Sequence, residues 1–63
     1  MHIDVRSKDK QYFSYNHVIS IQYTNNKLVI VWYNKHDMKM TDFIDLDTIE
    51  RVDISNYMVF VRH

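Results

Sequence analysis

The sequence predicts a small all-β domain, a highly curved antiparallel sheet or open barrel of roughly five to seven short strands, with at most a short helical turn near residues 47–52. Three observations carry this. Apolar and polar residues alternate with period 2 in several short segments, β-branched and aromatic residues concentrate there, and Asn and Asp stand between the segments where turns are needed. The chain, 1–63, reads as a single domain.

Ile3 and Val5 alternate in a first strand, and Phe13 and Tyr15 in a second. Ile19, Ile21 and Tyr23 line one face of a third, with Ser20 and Gln22 on the other. The fourth, LVIVWY at 28–33, sets Leu28, Ile30 and Trp32 against Val29, Val31 and Tyr33 and is apolar on both faces. Met38, Met40 and Ile44 point one way in a fifth strand, and Val52 with Ile54, followed by 57–61, makes the last pair. Between Asp42 and Asp53 the pattern is ambiguous. Asp47 and Glu50 have capping-box spacing, which allows a helical turn, but no long amphipathic helix is available to cover a sheet.

The turns must do without glycine, which is absent, as are proline and alanine. Asn and Asp tolerate positive φ better than other side chains. Asn25-Asn26 therefore predicts a type I′ hairpin turn, Asn34 to Asp37 a four-residue loop, and Ser55-Asn56 a tight final hairpin. The alternation resembles that of small β-barrel and pleckstrin-like modules, at the level of fold alone, which does not carry function.

Composition narrows the class of function. Eight basic and eight acidic residues give no net charge, unlike a dedicated nucleic-acid binder. The balance is local rather than uniform: residues 1–36 carry five cations and two anions (+3), and residues 37–63 carry three cations and six anions (−3). No apolar run approaches the roughly 20 residues of a membrane span, and MHIDVRSKDK lacks a signal peptide's apolar region. A cytoplasmic protein is expected. Ile, Asn, Lys, Tyr, Phe and Met, which have AT-rich codons, supply 29 of the 63 residues, the usage of a low-GC bacterium, its phages or its mobile elements.

No catalytic motif is present. There is no cysteine, no glycine-rich phosphate loop and no helical His pair, so neither an enzyme, a cofactor nor a metal is expected. The two-faced strand points instead to contact. Val29, Val31 and Tyr33, joined by Tyr57, Val59, Val61 and Tyr12, form the expected partner-binding surface, because a contiguous exposed apolar patch usually marks an interaction site. The carboxylates Asp42, Asp45, Asp47, Glu50 and Asp53 form an acidic patch able to imitate nucleic-acid phosphates in a basic groove. The expected function is thus a non-enzymatic protein-protein interaction module of a phage or mobile element, binding a host protein such as a nucleic-acid-processing enzyme and inhibiting it by occupancy. A homodimer through the second sheet face is an accompanying expectation. The alternative is a small barrel that binds single-stranded nucleic acid, stacking bases on Tyr12, Trp32 and Tyr33 beside Lys8, Lys10 and Lys35.

Overall fold

The computed structural model describes residues 1–55. Six strands form two three-stranded antiparallel sheets. β1 (His2–Ser7) lies between β2 (Tyr12–Tyr15) and β6 (Ile49–Ser55); β4 (Lys27–Tyr33) lies between β3 (Val18–Thr24) and β5 (Lys39–Asp45). The chain changes sheets twice, at Asn16-His17 and through a 3-10 turn, Leu46–Thr48. The expected all-β architecture is what forms. The expected strand 57–61, the Ser55-Asn56 hairpin, and Tyr57, Val59 and Val61 as contact residues fall outside the described residues or across their boundary.

Alternation explains the core. Opposite residues in an antiparallel pair share a face, so Ile3, paired with Tyr15, and Val5, paired with Phe13 and Val52, point inward from one sheet. Leu28, paired with Ile44, and Ile30, paired with Ile21, point inward from the other. Ile3, Val5, Leu28 and Ile30 are fully buried, at 0% exposure, each contributing roughly 1.5–3 kcal/mol by its removal from water. Trp32 meets Tyr15 edge-on, with ring centroids 5.6 Å apart and planes at 71°. This decides which side of LVIVWY is core: Leu28, Ile30 and Trp32 face inward, and Val29, Val31 and Tyr33 face outward.

Four local readings are corrected. A bulge between Val18 and Ser20 leaves Ile19 without a cross-strand partner, so Ile19 does not share the buried row with Ile21; it is exposed, and Val18 takes the inward place opposite Trp32. Met38 stands in the loop before β5 and is exposed, while Met40 and Ile44 share the inner face with Asp42. The helical turn covers only Leu46–Thr48; from Ile49 onward the chain is drawn into pairing with β1, Val52 opposite Val5. The Asp47/Glu50 capping box is not made, and Thr48 Oγ1 instead donates to the Asp45 carbonyl at 2.7 Å.

The turns use non-glycine residues at positive φ. Asn25 (51°) and Asn26 (61°) form the expected type I′ pair. In the β4–β5 loop Asp37 has φ 59°, and Asn34 Oδ1 accepts from the backbone N–H of His36 (2.8 Å) and Met38 (3.0 Å). Lys10 (72°) and His17 (56°) hold the same strained region without that chemistry.

Two outcomes follow. Ile30→Lys should abolish the cooperative thermal transition, because it places a charge in the core, whereas Val29→Lys and Val31→Lys should keep a native circular dichroism spectrum; unfolding of all three would show the outer face to be covered. Lys10→Gly should raise stability in urea by about 0.5–1 kcal/mol through relief of the left-handed backbone, since the Lys10–Glu50 ion pair it removes is exposed and long, at 3.8 Å.

Candidate interaction surface and groove

β4 carries the apolar outer face. Val29 and Val31 are half-buried by their neighbours, Gln22 and Phe43 flanking Val29, Ser20 and Thr41 flanking Val31. Tyr33, opposite Lys39, is 42% exposed, and Phe43 is 66% exposed. Tyr33, Val31, Val29 and Phe43 thus run as a stripe across the sheet, and no described element lies over it. Phe43 was not among the residues singled out from the sequence. Its signal was its parity with Val29, which becomes readable only when the β4–β5 register is known.

Tyr12 is not part of this stripe. It pairs with Arg6 on the outer side of the other sheet. There it belongs to a polar row with His2, Asp4 and Ser14, where β1 alternates polar-out and apolar-in.

A groove of about 840 Å³ opens between the two sheets, bounded by the β1–β2 hairpin, β2, β5 and the 3-10 turn. Phe13, Tyr15, Phe43 and Ile44 supply its apolar surface. Its charged lining is Lys8 against Asp9, Asp42, Asp45 and Asp47, one cation to four carboxylates, or −3. Burial, and then the hydrogen bond and charge of Asp42, push the Tyr15 hydroxyl well above its ordinary value, so it stays protonated as a donor. Asp9 is held below the usual carboxylate range, chiefly by the Ser7 hydroxyl.

The five carboxylates read as one acidic patch are divided among several places. Asp42, Asp45 and Asp47 line the groove. Asp45 stands 3.9 Å from Lys27, and Asn26 Nδ2 donates to both Asp45 (3.3 Å) and Asp47 (3.2 Å). Glu50 faces Lys10, and Asp53, opposite Asp4 on the far side of the molecule, bonds Arg51 Nε at 3.1 Å. Asp9 joins the groove from a distant part of the sequence, which a search for local runs does not find. The aromatic and basic residues of the nucleic-acid reading are also dispersed: Trp32 packs on Tyr15, Tyr12 and Tyr33 lie on different sheets, and Lys35 stands in a different loop from Lys8 and Lys10.

His2, Asp4 and Ser14 have the composition of a hydrolytic triad without its geometry. A relay needs the acid on one ring nitrogen and the hydroxyl on the other. Here Asp4 Oδ1 (2.8 Å) and Ser14 Oγ (3.3 Å) both lie at His2 Nε2, and Asn16 Oδ1 lies 2.6 Å from Nδ1. Acceptors on both nitrogens favour the imidazolium.

No membrane-length apolar helix occurs among the described residues. Compared with protein-family models, curated proteins and solved structures, the chain matches none.

The hydrogen bonds to Asn16 first, and then Asp4, raise His2 above its ordinary 6.5. A group with a raised folded-state pKa stabilises the fold below its unfolded value and loses that contribution as pH rises through the folded value. The urea midpoint should therefore fall between about pH 6 and about pH 8, and His2→Gln should remove this component; an unchanged slope in the variant would rule the contact out as its source.

Proposed function

We propose that this protein is a non-enzymatic binding module that docks on a protein partner through the outer side of β3-β4-β5. The observation that carries the reading is the stripe Val29, Val31, Tyr33 and Phe43, apolar and without a described element over it. Removing such a surface from water drives association, and its aromatic members are of the type that anchors interfaces. A triad-like cluster without relay geometry supports the non-enzymatic part. The dispersal of the basic and aromatic residues favours a protein over a single-stranded nucleic acid.

The residue usage, rich in AT-coded amino acids, supports a low-GC bacterium, phage or mobile element as the source, and the absence of cysteine suits the cytoplasm of such a cell. In that setting a small domain acts by occupying a surface that its host partner needs. Inhibition is the consequence we assign to that occupancy.

The test is affinity capture from a low-GC bacterial lysate with the wild type, Val31→Lys and Phe43→Lys, each first checked for native circular dichroism. A protein retained by the wild type and lost from both folded variants is the expected result. Retention by both variants, or salt-sensitive binding of a single-stranded oligonucleotide in place of a protein, would overturn the reading.

A further inference from the structure

The edge of β5 is open where the groove meets the outer face. Its hydrogen-bond phase is fixed at both ends, by Leu46 N–H to Asn26 O and Asn34 N–H to Met38 O, both 3.0 Å. With the register Leu28↔Ile44, Ile30↔Asp42 and Trp32↔Met40, antiparallel alternation makes the even-numbered residues of β5 the ones bonded to β4. The N–H and C=O of Thr41 and Phe43, and the N–H of Asp45, therefore point away from β4. No described strand pairs with them.

Soluble proteins usually blunt such an edge with a bulge, a proline or a lysine. β3, the opposite edge of the same sheet, has its bulge. β5 is regular from Lys39 to Asp45, its register with β4 unbroken, and its one lysine, Lys39, stands at its first position.

The surroundings specify what fits. A strand added at β5 has one row of side chains beside Asp42 and Ile44 on the groove side and another beside Thr41 and Phe43 on the outer side. The groove's charged lining sums to −3, so it favours cations. A second copy is disfavoured on the groove side, because its β5 would bring Asp42 beside Asp42; the one lysine of β5, Lys39, lies in the other row. We infer that the β5 edge accepts an extended segment of a partner protein in which Lys or Arg alternates with β-branched or aromatic residues, adding as a fourth strand to β3-β4-β5. This rests on the binding-module reading and names the partner's recognition element. Backbone bonds along Thr41–Asp45 supply affinity; Asp42, Asp47 and Asp9 select the basic side chains of the groove-side row, while Phe43 receives the apolar ones of the outer row.

The experiment titrates the ¹⁵N-labelled full-length protein with a short end-blocked peptide of alternating Lys and Val. Two controls accompany it: Glu in place of Lys, and the Lys-Val peptide with N-methylated valines, which keeps the charge but removes backbone donors. The parent peptide should shift the amide signals of Thr41, Phe43 and Asp45 and slow their hydrogen exchange, and each control should bind at least about tenfold more weakly. Equal binding of the N-methylated peptide would overturn strand addition, leaving only charge attraction. Shifts confined to Val29, Val31 and Tyr33 would also overturn it while sparing the binding-module reading. No shift at millimolar peptide would overturn it too, and the lysate capture would then decide the module reading separately.

Discussion

The fold depends on one event, the burial of Ile3 and Val5 of one sheet against Leu28 and Ile30 of the other. A chain of 63 residues has enough large apolar side chains for a single layer between two sheets, and a domain of this size buries only about 60% of the surface its unfolded chain exposes. Each sheet can then hide one face. The outer face of β1 meets this limit by carrying His2, Asp4 and Arg6. β4 does not, since its outward positions are Val29, Val31 and Tyr33. Among the described residues, the apolar stripe is what the core leaves uncovered, which is why we place the contact surface there.

β1 and β2 were legible because alternation at period 2 survives in them, β4 because it is an unbroken run of β-branched and aromatic residues, and the Asn25-Asn26 turn because few side chains adopt two successive positive φ values. The inward face of β4 was not, because LVIVWY is apolar at every position; it is set by the partners, with Ile21 and Ile44 opposite the inward side and Gln22, Ser20 and Thr41 opposite the outward side. Nor was the bulge at Ile19, since an inserted residue changes parity without changing composition. The site was half visible. Val29, Val31 and Tyr33 follow from the apolar run, whereas Phe43 belongs to a stretch whose period could not be assigned. The acidic residues were misjudged as a group for a related reason: nearness in sequence implies nearness in space only within one strand face, and the chain changes sheets at Leu46–Thr48, sending Asp42 and Asp53 to opposite sides.

The absence of glycine has a structural consequence. Among the described residues five non-glycine residues sit at positive φ, and at two of these turns local bonds support the conformation. Asn34 Oδ1 anchors the β4–β5 loop, and at the β1–β2 turn Lys10 N–H donates to the Ser7 carbonyl while Ser7 Oγ accepts from Gln11 N–H at 3.0 Å. The strain at Lys10 is therefore held by the same hairpin that places Ser7, Lys8 and Asp9 on the groove.

The charges along β5 have two effects. An unpaired edge invites copies of the same chain to join through it, and proline, the strongest block, is absent from this sequence. In the reading inferred above, Asp42 and Asp47 on the groove side oppose that pairing, because the β5 of a second copy brings Asp42 to the same side. They do so without filling the edge: the backbone groups of Thr41 and Phe43 stay outward, and Phe43 stays 66% exposed. A bulge, as on β3, disrupts an edge for strands of either charge. On the inferred reading, the groove-side carboxylates discriminate against acidic strands alone, so disfavouring a second copy and preferring a basic partner are one electrostatic property, read by two different strands.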